Sequence, residues 1–397
     1  MRHQNNAHLL LFVLHLSIVP CDLFEVYWNV PTSQCLSKKI DIPLSQYGIL
    51  FNDGQQFVGE KVKFQVYWNV PTGQCVDKKI DIPLSQYGIL FNSGQKFEGE
   101  KVVIFYEDKF GLYPYYKDTT NTSSAVNGGL PQLVNMTAHL IKAKDDIEKA
   151  IPNVSFNGLA ILDFEYWRPQ YKLNWSSKRI YRNESDRIVR ERTNSTLNET
   201  EVKRIAAEEF DKAAYKFMVE TIQLAIKLRP GGKWGFYGLP YCNYNAGKGG
   251  EYNCSEEFQG YNDGILNILN ETTALYPSIY LLNLTDTDLN FRYVHAILNE
   301  TNRVLAMLNY SIPAYPYSGF EYLPKTDPLK YYSDDDLCNE VKQQADFGMQ
   351  GTIVWSTSKN MTFRCPYIAN YINTTYGPYV SRIESEFRNC SMRKCGG

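Results

Sequence analysis

From residue 102 onward, short apolar segments typical of β-strands alternate with longer segments typical of helices. The strand-like segments are Val102–Tyr106, Leu159–Asp163, Trp234–Tyr237, Pro277–Leu281, Ile312–Tyr317 and Gly351–Trp355. Apolar residues recur every three or four positions in the segments between them, which are Met136–Ile151, Glu201–Leu228, Phe258–Leu275, Phe291–Leu308 and Asp336–Phe347. Alternation of this length predicts an α/β fold whose parallel strands form a (β/α) barrel. Chemistry in such barrels lies at the C-terminal ends of the strands.

A tandem repeat precedes this region. Residues 26–62 and 66–102 are identical at 31 of 37 positions. Each copy opens with a strand-like run that a proline ends, at Val26–Val30 and Val66–Val70. Two copies are too few for a solenoid, and a closed barrel has room for one such strand. We expect the second copy to fill that place, because it continues directly into the next strand. Residues 22–63 are then an extra copy with an unpaired Cys35.

Two carboxylates end the most informative strand, in the sequence Leu-Asp163-Phe-Glu165-Tyr-Trp-Arg168-Pro169. Side chains alternate along a strand, so Asp163 and Glu165 project from one face, with Cα atoms roughly 6–7 Å apart. Like charges this close raise one pKa, which keeps a carboxylic acid protonated and ready to protonate a leaving group. The alternative is a structural pair that forms a salt bridge with Arg168, and spacing alone leaves both open.

The spacing also restricts the mechanism. Ordinary glycosidases place two carboxylates about 5 Å or more apart, on either side of the scissile bond. Neighbours on one strand face cannot easily straddle a sugar ring, so if the pair cleaves a glycoside the attacking group must come from elsewhere. The substrate's own 2-acetamido oxygen is the natural candidate. Glu165 would be the acid and base, and Asp163 would stay charged and hold the acetamido N–H. Aromatic residues at the ends of four other strands are expected to converge on the pair: Tyr106, Tyr237, Tyr280 and Trp355.

Composition excludes several classes of function. The 397 residues carry a net charge of −2 with no long basic run, so neither a nucleic acid nor a membrane surface is expected as a partner. The 30 tyrosines suit either an aromatic core or a cleft that stacks on sugars. Only His139 and His295 lie beyond the leader segment, which argues against a metal site and a Ser-His-Asp triad. No cofactor or metal is expected.

The N-terminus predicts export. A basic start, an apolar run from Leu9 to Val19 and a cleavage site expected after Cys21 match a signal peptide over residues 1–21. Fifteen Asn-x-Ser/Thr sequons predict a glycosylated extracellular surface, among them Asn121, Asn135, Asn174, Asn194, Asn283 and Asn373. The eight cysteines beyond the leader include no Cys-x-x-Cys pair, which favours disulfides over zinc.

Several separated motifs occur in an order that resembles a known family. They are Val-Tyr-Trp-Asn-Val-Pro-Thr at 66–72, Ile-Phe-Tyr at 104–106, Asp-Phe-Glu-Tyr-Trp-Arg-Pro at 163–169, Trp-Gly-Phe-Tyr-Gly-Leu-Pro-Tyr-Cys at 234–242, Pro-Ser-Ile-Tyr at 277–280 and Ile-Val-Trp at 353–355. Together they resemble the animal hyaluronidases, especially the insect venom and salivary type, over roughly residues 64–380.

The resemblance implies a distorted TIM-like (β/α) barrel with about seven strands over residues 64–385, followed by a Cys-containing tail at 386–397. It implies a secreted, monomeric endo-β-N-acetylhexosaminidase of the venom or saliva type. Such an enzyme cuts β-1,4 links in hyaluronan and, more weakly, in chondroitin. Its mechanism is retaining and substrate-assisted, which agrees with the spacing of the acid pair.

The resemblance also implies roles for individual residues. Glu165 would be the proton donor, and Asp163 would position the acetamido group. Tyr237 and Tyr280 would contact that group, Trp355 would form the floor beneath the sugar, and Arg168 would bind or orient the substrate nearby. Tyr106 and Ser278 match further cleft positions. The implied disulfides are Cys75–Cys365 and Cys242–Cys254, while Cys338, Cys390 and Cys395 have no assigned partner.

Several departures from the family pattern and three rival hypotheses remain. The first repeat copy is foreign to the family, and its Cys35 competes with Cys75 for Cys365. No arginine occurs around Ala296–Leu298, where relatives often supply one to the polyanionic substrate. A chitinase-like enzyme is the first rival, but of the Asp-x-x-Asp-x-Asp-x-Glu pattern only the last Asp-x-Glu is present. The others are a secreted glycan-binding protein with an inactive site and a glycosylated decoy with an immunological role; the intact Glu165 favours an enzyme.

Overall fold

The computed structural model describes residues 27–28, 50–51, 64–194, 196–281, 286–322 and 330–386. The chain divides into two compact units, Met1–Gly59 and Glu60–Gly397. Several predictions lie outside the described residues: the signal peptide, most of the first repeat copy with Cys35, the sequon at Asn283, and nearly all of the tail with Cys390 and Cys395.

The two repeat copies encode the same local strand pairing. In the first unit Tyr27–Trp28 pairs in parallel with Leu50–Phe51. In the second unit the equivalent residues, 40 positions further on, pair in the same register, Tyr67 with Leu90 and Trp68 with Phe91.

In the described part of the second unit, seven short strands run parallel to their neighbours. They are β1 (Gln65–Asn69), β2 (Leu90–Phe91), β3 (Val102–Tyr106), β4 (Leu159–Asp163), β5 (Lys233–Phe236), β6 (Tyr317–Ser318) and β7 (Gly351–Trp355). They form two parallel sheets with the strand orders β6-β7-β1-β2 and β3-β4-β5. Isolated parallel bridges continue from one sheet towards the other, and they join Tyr237 to Tyr276, Leu275 to Ala314 and Ser278 to Tyr317.

Helices follow most of the strands. They are α1 (Gly73–Asp77), α2 (Met136–Ala150), α3 (Arg179–Arg192), α4 (Glu199–Leu228), α5 (Glu256–Asp263), α6 (Leu266–Leu269), α7 (Thr287–Met307), α8 (Asp334–Leu337), α9 (Gln343–Asp346), α10 (Met361–Tyr371) and α11 (Gly377–Glu386). Wider π-helical turns at Cys338–Lys342 and Ile372–Tyr376 join α8 to α9 and α10 to α11. Single 3₁₀ turns lie at Ser85–Tyr87, Ser93–Gln95, Thr122–Ser124, Pro131–Leu133, Tyr171–Leu173 and Ser176–Lys178, and a small antiparallel pair joins Tyr115–Tyr116 to Ala125–Val126. Along the described part of the chain, no helix combines the length and apolar character that a membrane crossing needs.

Most of the strands are buried on both faces, as parallel strands between helices and an inner core require. In β3, Val103 and Phe105 belong to the large core that the helices share, whereas Val102 and Ile104 belong to a second, inner core. Leu159 and Ile161 of β4 lie in the same inner core. Because side chains alternate along a strand, Tyr106 and Asp163 continue this inner face at the strand ends, where the site lies.

Some predicted elements differ from the structure, and the cause is local. Phe258–Leu275 was predicted as one helix, but α5 and α6 are separated at Gly264. The predicted strands Pro277–Leu281 and Ile312–Tyr317 are reduced to isolated bridges and the two residues of β6. Pro277, Pro313 and Pro316 lack the N–H that a continuous ladder needs. Asp336–Phe347 was predicted as one helix but is divided between α8, a π-helical turn and α9.

At one position the two repeat copies differ in the space that the side chain needs. Every buried position in residues 66–102 carries the same amino acid in the first copy. Five of the six differences fall on exposed positions, and the sixth is Gly73, where the first copy has Ser33. A Cβ atom at Gly73 would lie 2.6 Å from the backbone oxygen of Gly94. The second copy therefore fits beside β7 without strain, and the first copy would have to displace backbone.

Reciprocal deletions should reveal this difference. Deleting residues 24–63 leaves the second copy in place and should preserve stability and the Cys75–Cys365 disulfide. Deleting residues 63–102 instead joins Val62 to Val103, so that the first copy continues into the rest of β3. We expect that variant to lose about 1–3 kcal/mol of unfolding free energy through overpacking at Ser33, as measured by chemical denaturation.

The matched control is the substitution Ser33→Gly in the second deletion variant, which should recover most of the lost stability. Equal stability of both deletion variants would contradict the steric explanation. Loss of folding on deletion of 24–63 would show that the first copy has a structural role of its own.

Candidate active site

The ends of the strands form a cavity around the acid pair. Tyr106 of β3 lies opposite Asp163 of β4 in the parallel register. A cavity of about 320 Å³ opens above them, and we call it the acid-pair cavity. Its lining includes Tyr106, Glu107, Asp163, Glu165, Tyr237, Tyr280, Tyr317 and Trp355. The residues predicted to converge from four other strands are therefore brought together with the pair.

A second cavity adjoins the first. It measures about 290 Å³ and we call it the arginine cavity. Its lining includes Glu165, Arg168, Lys178, Tyr237, Tyr241, Tyr244 and Ser278. Glu165 and Tyr237 line both cavities, so Glu165 stands at their boundary. All eight predicted catalytic and substrate-binding residues thus line one cavity or the other.

The electrostatics of the acid pair follow from burial and crowding. Burial, then the charges of Glu165 and Glu107, raise the pKa of Asp163 to about 8. Burial also raises the pKa of Glu165, but the cations Lys178 and Arg168 oppose the shift. The pair therefore resists double ionisation, as its spacing predicted.

The sharing of the proton between Asp163 and Glu165 differs from the expectation that Asp163 stays charged. In the unliganded protein the pKa of Asp163 lies above neutrality, and its Oδ1 atom is buried without a hydrogen-bond partner in the described part of the chain. No donor near this oxygen offsets the cost of burying its charge. The pair at neutral pH therefore keeps one proton. In the unliganded protein this proton resides on Asp163 rather than on Glu165, until a hydrogen-bond donor reaches Oδ1 of Asp163.

Lys178 is a site residue that the sequence analysis missed. It ends the 3₁₀ turn before α3, and its Nζ atom donates hydrogen bonds to the backbone oxygens of Glu165 and Tyr166, the latter at 3.2 Å. Burial, with the neighbouring Arg168, lowers its pKa. No motif could have identified Lys178, because its contact with Glu165 depends on how the intervening turns fold.

Arg168 lies in an aromatic cage rather than against the acid pair. Its guanidinium carbon is 5.2 Å from the ring centre of Trp175 and 5.6 Å from that of Tyr241. Its Nη2 donates to the hydroxyl of Tyr244 at 2.8 Å, and its Nη1 donates to the backbone oxygen of Leu173 at 3.2 Å. The alternative of a salt bridge that neutralises Asp163 is therefore wrong, and the cation faces the arginine cavity.

Aromatic contacts hold the floor of the acid-pair cavity. Trp355 donates its indole N–H to the hydroxyl of Tyr106 at 3.2 Å and meets the ring of Tyr280 edge-on at 6.2 Å. The hydroxyls of Tyr237 and Ser278 lie 3.1 Å apart. Tyr317, a lining residue that the sequence analysis placed only in a strand, packs against Tyr237 with ring centres 5.0 Å apart.

The turn after the acid pair gives the sequon residue Asn174 a structural role that disfavours the predicted glycosylation there. Asn174 is fully buried. Its amide nitrogen donates to the backbone oxygens of Arg168 and Gln170, and its Oδ1 accepts the N–H of Arg168 at 2.9 Å. An asparagine used in this way has no free amide for a glycan. Four other predicted acceptors are exposed, and glycosylation there stays a prediction: Asn121, Asn135, Asn194 and Asn373.

Two disulfides join cysteines of the described residues. Cys75 of α1 bonds to Cys365 of α10, and Cys242 bonds to Cys254 across the loop after β5. Both pairings implied by the resemblance are therefore confirmed, with the second copy supplying the partner of Cys365. Cys338, which had no assigned partner, is also disulfide-bonded.

Comparison with known proteins decides the family. The model of the hyaluronidase family, glycosyl hydrolase family 56, matches residues 60–397. The chain belongs to this family. It is therefore a glycoside hydrolase of the hyaluronidase type, and the predicted resemblance is confirmed. The match begins at the first residue of the second unit.

Individual relatives and structures agree with this assignment. The chain is 34% identical to a chondroitin hydrolase of Caenorhabditis elegans over 94% of this chain and 73% of that protein. It is 35% identical to a hyaluronidase of Crotalus adamanteus over 95% of this chain and 76% of that protein. The crystal structure of bee venom hyaluronidase in complex with a hyaluronic acid tetramer superposes with a TM-score of 0.74 at 31% identity, covering 81% of this chain and 99% of that one. This likeness confirms the predicted TIM-like barrel class.

Burial of Asp163 should lower the stability of the folded protein at alkaline pH. Because its folded-state pKa is raised from 3.8 to about 8, the folded protein binds the proton more tightly than the unfolded chain, and this contribution to stability is lost as the pH rises between these values. Asp163→Asn should therefore raise the unfolding temperature at pH 8 relative to the parent but leave it nearly unchanged at pH 4. The exposed Asp145→Asn is the matched control, and a gain of the same size at both pH values would refute the explanation.

Asn174 should act as a structural residue. Asn174→Ala removes three hydrogen bonds from a buried turn and should lower the unfolding free energy by about 2–4 kcal/mol. The exposed sequon residue Asn309, changed to alanine, should cost less than about 0.5 kcal/mol. Denaturant unfolding measures both. A glycopeptide carrying sugar on Asn174 would contradict this role.

Proposed function

We propose that the chain is an endo-β-N-acetylhexosaminidase that hydrolyses β-1,4 links in hyaluronan by a retaining, substrate-assisted mechanism. One observation carries the proposal. The carboxylates that line the two cavities all belong to the ends of β3 and β4, and within the described residues none faces them across either cavity. A carboxylate nucleophile on the far side of the sugar is therefore missing, and the acetamido oxygen of the substrate takes its place.

The two cavities suit the two sugars flanking the scissile bond. An N-acetylhexosamine would occupy the acid-pair cavity above Trp355, and the leaving uronic acid would enter the arginine cavity. Glu165 stands at the boundary, where the glycosidic oxygen would lie. Arg168 and Lys178 give the leaving-group side a positive character that complements the carboxylate of a uronic acid.

Substrate binding would place the proton where it is needed. The unpartnered Oδ1 of Asp163 is an acceptor for the acetamido N–H. A donor at this oxygen favours the charged form of Asp163 and lowers its pKa. Since the pair keeps one proton, that proton then belongs to Glu165, the group beside the leaving oxygen.

The chemical steps follow from this arrangement. Glu165 protonates the glycosidic oxygen while the acetamido carbonyl oxygen attacks the anomeric carbon, and the bond to the leaving sugar breaks. Asp163 stabilises the positive charge of the oxazoline-type intermediate. Tyr237 and Tyr280 contact the acetamido group, and Trp355 supports the ring. Water then attacks the anomeric carbon with Glu165 as base, which restores the proton and retains the configuration.

Chondroitin is the second candidate substrate. It also joins an N-acetylhexosamine to a uronic acid by a β-1,4 link, and the relative from Caenorhabditis elegans is a chondroitin hydrolase. Chitin lacks the carboxylate that the arginine cavity would recognise, so a chitinase-like activity is disfavoured. We further propose that the enzyme is secreted, which its disulfides favour, and that residues 64–385 form the catalytic domain.

Mutation of the acid tests the mechanism. Glu165→Gln removes the proton donor without changing the size of the side chain, and it should lower kcat by about 10²–10⁴ on hyaluronan with the fold retained. Turnover is measured as new reducing ends on hyaluronan, chondroitin and chitin in parallel, and fold by circular dichroism. The exposed Glu148→Gln is the matched control.

Unchanged turnover in Glu165→Gln would end the assignment of the donor. An inverted configuration of the new reducing end, observed by NMR, would exclude the substrate-assisted scheme. Chitin cleaved as fast as hyaluronan would contradict the role of the arginine cavity.

A further inference from the structure

A third carboxylate, Glu107, lies beside the acid pair and has no role in the mechanism above. It follows directly after β3, at the point where Tyr106 lies opposite Asp163. Its backbone N–H donates to the backbone oxygen of Asp163 at 3.2 Å. Its side chain is partly buried and lines the acid-pair cavity together with Asp163 and Glu165.

We infer that Glu107 is a positioning residue of the acid pair: its carboxylate accepts the backbone N–H of Glu165 and holds a third negative charge next to both acids, which keeps the catalytic proton in the site. The inference rests on the proposed function, because it concerns the proton that Glu165 donates.

Contacts with the backbone of Glu165 support the positioning role. The backbone N–H of Glu165 is near enough to the Glu107 carboxylate to oppose the rise in its pKa, and the backbone oxygen of Glu165 accepts from Nζ of Lys178. Glu165 lies just beyond the last paired residue of β4, so the sheet itself does not fix its backbone. Side chains from two other segments therefore lie beside the two polar backbone atoms of Glu165.

Electrostatics support the charge role. Burial, followed by the charge of Glu165, raises the pKa of Glu107 to about 7, and Glu107 in turn contributes to the raised pKa of Asp163. The charged and titratable groups that interact with Glu107 are Asp108, Asp163, Glu165, Lys178, Tyr106, Tyr113, Tyr166 and Tyr181. Lys178 is the cation among these groups, and Arg168 acts with it on Glu165.

The sign of the effect follows. A negative charge at position 107 favours the protonated state of the pair, so the activity should persist to higher pH than it would without that charge. Removing the charge while keeping the acceptor should move the alkaline limb of the pH–rate profile to lower pH. Removing the acceptor as well should also lower the rate on the acidic side, where the pair is protonated in every variant.

Three substitutions separate the two roles. Glu107→Gln keeps an oxygen that can accept the N–H of Glu165 but removes the charge, and it should shift the alkaline limb of kcat on hyaluronan down by about half a pH unit to one unit. Its maximal kcat should stay within about twofold of the parent. Glu107→Ala should show the same shift and a further drop in maximal kcat of about tenfold with KM little changed. Glu107→Asp keeps the charge and should retain the parental alkaline limb.

The exposed Glu98→Gln is the matched control for a loss of one surface charge and should leave the profile unmoved. Parental pH profiles in both Glu107→Gln and Glu107→Ala, with folding verified by circular dichroism, would overturn the inference. Those results are distinguishable from failure of the proposed function, because in that case Glu165→Gln itself would remain active.

Discussion

The parallel pairing of β3 with β4 is the constraint on which the site depends. This register sets Tyr106 against Asp163, and the ladder continues for one more hydrogen bond, from the N–H of Glu107 to the oxygen of Asp163. Three carboxylates are thereby fixed at neighbouring strand ends above a core of Ile104, Ile161 and other apolar side chains. Such a core cannot solvate three charges. The backbone geometry therefore obliges the site to retain protons, before any substrate is considered.

What distinguishes the two acids is their surroundings rather than their chemistry. The positive charges of Lys178 and Arg168 oppose the effect of burial on the pKa of Glu165. Asp163 faces aromatic rings and has one oxygen with no partner in the described structure. The same pair therefore has a cationic side and an apolar side. This difference between the two sides is the basis for the proposal that an amino sugar binds on the apolar side and a uronic acid on the cationic side.

Sequence reasoning identified the residues whose position follows from periodicity. Alternation along β4 placed Asp163 and Glu165 on one face, and the order of strands brought Tyr237 and Trp355 to the same end. It failed where contacts depend on the path of loops. Lys178 reaches Glu165 from another turn, and the sequon at Asn174 gives no sign that folding will bury it. Glu107 had a usable signal, since a carboxylate follows the last residue of β3, but only the register with β4 shows that it meets the pair. The prolines around Ala314 interrupt strands that were predicted to be continuous. Hydrophobic periodicity did not reveal this, because it takes no account of missing N–H donors.

The repeated segment shows why a large duplication need not disturb such a site. Every residue that lines the two cavities lies after residue 102. The second copy leads directly into β3, and this connection is the same whether or not another copy precedes it. Apolar burial cannot choose between the copies, because every buried position in residues 66–102 has the same amino acid in the first copy. The steric difference between the copies lies in the approach of Gly73 to the backbone of Gly94, and the Cys75–Cys365 disulfide joins the second copy covalently to α10. We therefore expect this glycine to favour the second copy as the one that completes the fold. The acid pair is unaffected because its geometry is set between β3 and β4.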